Sequence, residues 1–341
     1  MKKLFNPEAS DDNIRIIGGE TTNILNLENI KYKWAHDIFD VIYANSWLPH
    51  KVDMGKDKSE WKELTSDEQE AYKVLISFLM FLDSIQTNNL PNIADYITAP
   101  DVIYVLARQT YDEAIHSKSY GWIGNSIFSH TDFNEIVYKW RENKLLLERN
   151  KFITDWYEEF QNKQNDEGFI KVTVSNYLLE GLYFYNGFQY FHNLASRGLM
   201  IGTDTQIKYI QRDEIQHCNI FKNIIKETRK ENPELFEKMT PVIYDMFKTA
   251  VEWEIKFSTD IIGNKVLGMT VDSIIDYTNY LANKRLKDID LEQIFPESKN
   301  PYKHLDGIAG VEDETSNRAN NFEVTSITYK NASILNGWED L

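Results

Sequence analysis

The chain has 341 residues, of which 42% are hydrophobic, and a net charge of −16. This composition allows a large buried core, while the acidic excess argues against nucleic acid and anionic membranes as partners. We therefore expect neither a nucleic-acid nor a membrane partner. The single cysteine, Cys218, excludes an intramolecular disulfide, so we expect a location in a reducing cytoplasm.

Helical periodicity dominates the chain between two less regular ends. We predict an irregular segment over residues 1–30, a helical domain over 31–296 and a flexible tail over 297–341. Ser66 to Gln69 resembles a capping box and predicts a helix that ends or kinks near Pro91. Further helices are predicted from Pro100, from about Thr131, from Gly168 through Phe188, after a break at Gly202 to Asp204, from Pro233 to about Ile262, and from Val271 to Lys287.

Two segments of this helical region, residues 112–116 and 213–217, share the pattern Asp-Glu-x-x-His. Residues three apart lie on one face of a helix, so each segment places a carboxylate beside an imidazole. A single Glu-x-x-His is expected about once by chance in a chain with seven histidines. Two matches, both preceded by aspartate, exceed this chance expectation and indicate that the two motifs belong to one functional site.

A carboxylate in an apolar run lies about one helix before each motif. Asp83 precedes Glu113 by 30 residues, and Glu180 precedes Glu214 by 34 residues. Two Glu-x-x-His pairs, with one carboxylate from each of two other helices, form the ligand set of di-metal carboxylate bundles. The predicted ligands are Asp83, Glu113, His116, Glu180, Glu214 and His217.

This ligand set defines the chemistry of the predicted site. Carboxylates with neutral imidazoles suit iron or manganese, and four carboxylates neutralise two divalent ions in a core of low dielectric. The lack of a second cysteine excludes zinc-finger and iron–sulfur sites built from this chain's thiolates. We therefore predict an all-α helical bundle with a buried dinuclear metal centre of iron, with manganese as the alternative.

Tyr120 lies four residues after His116, on the same helix face and one turn beyond it. By their helical spacing, Phe184, Phe188 and Ile210 could wall an apolar pocket around its phenol, as a protected radical requires. The residues alone leave a second interpretation open, in which Tyr120 is one core tyrosine among 19.

Three segments together resemble the signatures of the small, radical-generating subunit of class I ribonucleotide reductase: residues 82–86 (Leu-Asp-Ser-Ile-Gln), 112–120 and 212–217. The likeness extends roughly from Tyr32 to Asn283. It implies a ferritin-like bundle, a homodimer, and an oxygen-activated di-metal site, held by the six ligands above, that oxidises Tyr120. It also implies that the oxidising equivalent passes to a large catalytic subunit, which reduces ribonucleotides to deoxyribonucleotides.

The resemblance further implies a route by which the radical leaves the bundle. Trp47 and Asp213 match the route's tryptophan and the aspartate beside a ligand histidine, and Tyr329 is our choice for the tail tyrosine. From the residues alone, Trp47 could be ordinary packing and Asp213 an exposed helix charge. The last eight residues mix apolar and acidic groups, which suits docking of the tail on the large subunit.

Two other classes of protein use similar ligands. Ferritin-like iron-storage chains are usually about half as long and need neither a radical tyrosine nor a docking tail. A di-metal oxidase or oxygenase acting on a small apolar molecule would need no partner subunit. The sequence leaves open the choice of iron or manganese and whether oxygen acts directly or an activating flavoprotein supplies the oxidant.

Overall fold

The computed structural model describes residues 4–305, which fold almost entirely into α-helices. Within this range there is no β-strand beyond one isolated bridge between Val266 and Met269. The helices are α1 (Lys33–Ala44), α2 (Asp57–Glu60), α3 (Ser66–Tyr96), α4 (Pro100–Ile127), α5 (His130–Val137), α6 (Lys144–Asn162), α7 (Asp166–Leu178), α8 (Tyr185–Ser196), α9 (Ile201–Glu231), α10 (Pro233–Ile261) and α11 (Val271–Asp288). The all-α bundle predicted from the sequence is confirmed.

Helix α3 begins one residue earlier than its predicted cap implies. Thr65, not Ser66, is the N-cap: its hydroxyl accepts the Glu68 N–H at 3.2 Å, and Glu68 Oε2 accepts the Thr65 N–H at 2.9 Å. Gln69, the predicted partner of Ser66, instead donates to the carbonyl of Trp61 at 2.9 Å. The capping box was therefore predicted one residue late.

The same helix does not end near Pro91 but continues to Tyr96. Leu90 and Ile93, on either side of the proline, are fully buried in the core. Burial of this apolar face compensates for the N–H that the proline lacks, so tertiary packing outweighs the local signal.

A single long helix predicted through Glu180 is interrupted in the structure. Residues Leu179–Tyr183 form a π-helical turn between α7 and α8. A π turn contains an extra residue and bends the helix, and such turns are frequent at functional sites. Glu180 therefore projects from a locally irregular backbone.

Helix α9 starts at Ile201, before the predicted break at Gly202 to Asp204. Its first N–H groups are capped by another element: Asp57 of α2 accepts from Gly202 at 3.0 Å and from Thr203 at 2.7 Å. A Cβ at Gly202 would lie 2.6 Å from the carbonyl oxygen of Asp53, so glycine permits this close approach. The contact fixes the start of the helix that carries the second motif.

Ligand-bearing elements pack side by side in the bundle: α3 lies along α4, α4 and α7 contact α9, and the π turn contacts both α7 and α9. Toward the C-terminal side, Tyr302 and Leu305 are buried although the flexible tail was predicted from residue 297. The remaining tail, 306–341, lies outside the described residues. None of the helices within residues 4–305 combines the length and the apolar composition that a membrane span requires.

Candidate metal centre

The six predicted ligands converge from four helical elements in the core, and all are fully buried. Ligand atoms of Asp83, Glu113, His116 and Glu214 lie within 4.8 Å of one another, and so do those of Glu113, Glu180, Glu214 and His217. Glu113 and Glu214 belong to both groups. The two groups therefore overlap, and together they could hold two neighbouring metal ions with Glu113 and Glu214 available to both.

Both histidines turn Nδ1 toward this shared space. His116 Nδ1 lies 3.0 Å from Glu214 Oε1, and His217 Nδ1 lies 2.8 Å from Glu214 Oε2. The matching distances to Glu113 are longer, at 3.8 Å and 3.3 Å. Glu214 is thus the carboxylate that holds both imidazoles.

The opposite ring nitrogens face the aspartates of the two motifs in a crossed arrangement. His116 Nε2 is hydrogen-bonded to Asp213 Oδ2 at 3.4 Å. On the other side, His217 Nε2 lies 3.5 Å from Asp112 Oδ2 without hydrogen-bond geometry. Outer carboxylates of this kind orient ligand histidines. Asp112 occupies the same motif position as Asp213, although the sequence alone assigned a role only to Asp213.

Three amides fix the carboxylate of Glu180. Its Oε1 accepts from Gln86 Nε2 at 2.5 Å, from Gln109 Nε2 at 2.9 Å and from Asn176 Nδ2 at 3.2 Å. Its Oε2 has no hydrogen-bond partner in the described structure. The side chain is therefore held by one oxygen and presents the other. No pattern in the sequence indicated the roles of Gln109 and Asn176.

Unsatisfied oxygens test whether these residues fit a metal. Both carboxylate oxygens of Asp83, Oε2 of Glu113 and Oε2 of Glu180 are buried without hydrogen-bond partners among residues 4–305. Buried polar groups are almost always paired, so a cluster of orphaned acceptors calls for a cation. Carboxylate and imidazole donors without thiolate suit iron or manganese. The residues fit a dinuclear centre.

The electrostatics of the metal-free cluster point the same way. Burial, followed by the charge of a neighbouring glutamate, raises the pKa of Asp83, Glu113 and Glu180. Burial also opposes ionisation of Glu214, but the charges of His217 and then His116 outweigh it and lower its pKa. These shifts favour the protonated form of the three carboxyl groups, so a metal that binds them competes with protons.

Tyr120 is fully buried beside this cluster. Burial first, and then the charge of Asp83, raise the pKa of its phenol well above the usual range. The hydroxyl has no hydrogen-bond partner in the described structure. The three residues expected to wall its pocket, Phe184, Phe188 and Ile210, are fully buried as well.

Trp47 connects the centre toward the surface. Its Nε1 donates to Asp213 Oδ2 at 2.7 Å, the same oxygen that faces His116. Asp213 is buried and is therefore not an exposed helix charge. The ring of Tyr209 lies 5.1 Å from the indole, a neighbour that sequence analysis missed. Tyr329 lies outside the described residues.

The sequence matches a family model described as ribonucleotide reductase, small chain, over residues 24–301. The ribonucleoside-diphosphate reductase subunit beta of Treponema pallidum is 36% identical over 98% of this chain and 96% of its own length. The protein of the same description from Halalkalibacterium halodurans is 34% identical over 100% of this chain and 98% of its own length.

Solved structures agree with the sequence comparisons. The ribonucleotide reductase R2 subunit from Clostridium botulinum superposes with a TM-score of 0.88 at 40% identity, covering 90% of this chain and 98% of that chain. The dimanganese(II) NrdF of Streptococcus sanguinis shares the fold, with a TM-score of 0.74 at 20% identity over 85% of this chain and 99% of that chain. The chain therefore belongs to the ribonucleotide reductase small-chain family, as a small subunit of ribonucleoside-diphosphate reductase, and the resemblance of its motifs is confirmed.

Proposed function

We propose that this small subunit generates and stores a tyrosyl radical on Tyr120. The observation that carries the proposal is the pair of overlapping, fully buried ligand groups that share Glu113 and Glu214. When bound there, a dinuclear metal supplies the oxygen-dependent oxidising power for removing an electron from the phenol. Iron is the metal we propose, with manganese as the alternative, because both accept this set of oxygen and nitrogen donors.

The protein's part is to protect the phenol and to manage its proton. Tyr120 is fully buried, so water and small reductants are kept away from the oxidised ring. Oxidation of a tyrosine to its neutral radical releases the phenolic proton. Among the carboxylates, the charge of Asp83 contributes most to the raised pKa of this phenol. We therefore assign to Asp83 the uptake of that proton.

The exit route continues through residues that already touch. Trp47 Nε1, Asp213 Oδ2 and His116 Nε2 form a chain with steps of 2.7 Å and 3.4 Å. An electron can pass inward from the indole, while Asp213 holds the indole proton by its hydrogen bond. The remaining steps run through Tyr329 in the tail to a large catalytic subunit, where ribonucleotides are reduced. A homodimer and an activating flavoprotein complete the proposed partners.

Electron paramagnetic resonance tests the proposal. Metal-free protein is loaded with Fe(II), or separately with Mn(II), with and without a reduced flavoprotein, and then exposed to oxygen while bound metal is quantified. We expect about two metals per chain and a tyrosyl signal. In Tyr120→Phe, the metals should remain and the signal should vanish. A signal that survives this substitution contradicts the assignment of Tyr120, and less than one metal per chain contradicts the centre.

A further inference from the structure

The backbone that carries Glu180 is irregular and must be held from outside. Leu179–Tyr183 is a π-helical turn, and its hydrogen-bond ladder is offset from that of the α-helices on either side. Every residue of the turn is buried, so water cannot compensate for poorly aligned carbonyls. Donors from neighbouring elements must therefore stabilise it.

A buried arginine from α11 provides such a donor. Arg285 Nε donates to the carbonyl of Gly181, the residue after Glu180, at 3.0 Å. The guanidinium also donates to the hydroxyl of Tyr185 at 3.1 Å and lies 3.6 Å from the carboxylate of Asp288. One planar cation therefore joins the π turn to α8 and α11, with its donors directed in fixed positions.

Glycine at position 181 is what admits this arginine. A Cβ at Gly181 would lie 2.7 Å from Arg285 Nε, 3.0 Å from its Cδ and 3.1 Å from the sulfur of Cys218. The arginine's own backbone is held as well, because the Tyr177 hydroxyl donates to its carbonyl at 3.2 Å. Gly181 and Arg285 thus form a matched pair, in which a side chain on the first would displace the second.

The turn has a second support that is less suited to a test. Arg149 of α6 approaches the carbonyl of Tyr183 at 3.4 Å and is paired with Glu254, and both charged residues are buried. Removal of Arg149 would leave Glu254 as a buried unpaired charge and destabilise the whole fold. Arg285 is therefore the cleaner probe of the π turn.

Glu180 belongs to only one of the two ligand groups. Three amides anchor its Oε1 at one end of the side chain. The π turn fixes the other end, so the position of Oε2 also depends on where the turn holds the Glu180 backbone. We propose that Arg285 is a positioning residue that holds Glu180 for one metal position and not the other. The proposal rests on the dinuclear centre of the proposed function and concerns its Glu180 side alone.

Binding of Mn(II) to the metal-free protein without oxygen tests the inference. Free Mn(II) is counted by electron paramagnetic resonance, so the readout does not depend on activity. In Arg285→Met we expect one Mn(II) to bind as in the wild type and the second to bind about 10- to 100-fold more weakly. Gly181→Ala should reproduce this loss, whereas Arg285→Lys should restore part of the affinity because its ammonium can still reach the Gly181 carbonyl.

Arg229→Met is the matched control. Arg229 also donates to backbone carbonyls, those of Ile289 and Asp290, but outside the ligand groups, so this variant should bind both metals normally. Thermal melting of the metal-free variants checks their folding. If Arg285→Met does not fold, Gly181→Ala and Arg285→Lys decide the question.

Three results would overturn the inference. Unchanged affinity for both metals in Arg285→Met and Gly181→Ala would show that the turn needs no such support. Equal weakening of both metals, or the same loss in Arg229→Met, would assign Arg285 to general packing. A wild-type protein that binds less than one metal per chain, tested with Mn(II) and with Fe(II), would instead contradict the proposed dinuclear centre, and this inference with it.

Discussion

The two Asp-Glu-x-x-His motifs are alike in sequence but lead to different surroundings. Asp213 lies 3.4 Å from Nε2 of His116, and the matching distance from Asp112 to its histidine is 3.5 Å. Beyond Asp213 is the indole of Trp47, at 2.7 Å. Beyond Asp112 is the guanidinium of Arg108, also at 2.7 Å. The repeat therefore builds two similar ligand pairs, of which one is extended by a group that can be oxidised.

Each of these aspartates also pairs with an arginine, Asp112 with Arg108 at 2.7 Å and Asp213 with Arg212 at 3.1 Å. A guanidinium is permanently charged and offers only hydrogen-bond donors, so Arg108 ends its side as a fixed cation. Besides Asp112, it approaches the Ser46 hydroxyl at 3.2 Å. Arg212 donates to the Asn45 carbonyl at 2.6 Å. Both arginines thus hold the segment that leads into Trp47, and this segment serves one side only.

A second difference lies in the shared glutamates. Glu214 contacts both imidazoles at 3.0 Å and 2.8 Å, whereas Glu113 lies 3.8 Å and 3.3 Å from them. The pKa of Glu214 is lowered although burial opposes this, and the pKa of Glu113 is raised mainly by burial. Ionisation is therefore more favourable at Glu214 than at Glu113, and equivalent positions in the sequence differ in their electrostatic surroundings.

Trp47→Phe removes the oxidisable indole beyond Asp213 and should lower ribonucleotide reduction more than any other substitution considered below. We expect ribonucleotide reduction with the large subunit to fall to background, because phenylalanine can neither donate to Asp213 nor be oxidised at the potential of an indole. A radical on Tyr120 should still form, since Trp47 belongs to neither group of predicted metal ligands. Reduction assays beside spin quantification measure the two separately.

Trp140→Phe is the control for this substitution. Trp140 packs against Phe81, with ring centroids 5.1 Å apart, and belongs to neither ligand group. It should retain both the radical and turnover. Full turnover by Trp47→Phe would show that the surroundings of the two Asp-Glu-x-x-His motifs do not differ in radical transfer.

Glu214→Gln and Glu113→Gln compare the shared glutamates in the metal-free protein. Glu214→Gln removes the anion that pairs with two buried imidazoles, and breaking such a pair costs about 3–5 kcal/mol of unfolding free energy. Glu113→Gln should cost far less, because burial already raises the pKa of Glu113 and disfavours its charge. Urea unfolding of the two metal-free variants measures the difference, and equal losses would contradict the unequal electrostatic surroundings of the two positions.

Motif repetition explains why the convergence of the six predicted ligands could be foreseen from the sequence. Each motif is local, and helical spacing places its glutamate beside its histidine. The neighbours of Glu180 could not be predicted in this way, because Gln86, Gln109 and Asn176 come from three different helices. Only the packing of those helices brings their amides to one carboxylate oxygen.

Helix boundaries show the same limit. Proline at the first turn of α4 and of α10 was a sufficient signal for their starts. The π turn had no signal, since Leu179–Tyr183 reads as ordinary buried helix, and its support by Arg285 lies 104 residues away in the chain. Likewise, the opposite pKa shifts of Glu113 and Glu214 accompany differences of less than 1 Å in their contacts with the histidines, which a repeated motif does not encode.

Asp112→Asn and Asp213→Asn separate what the two sides share from what they do not. Each substitution removes the charge behind a ligand histidine, so metal affinity should fall about 10- to 100-fold in both variants. Asparagine at 213 can still accept the Trp47 N–H but cannot hold a proton as the carboxylate does. Turnover per radical should therefore fall in Asp213→Asn and stay near wild type in Asp112→Asn. With radical content matched by spin quantification, equal turnover per radical in the two variants would mean that the Asp213 charge has no part in radical transfer, and that the indole alone distinguishes the two sides.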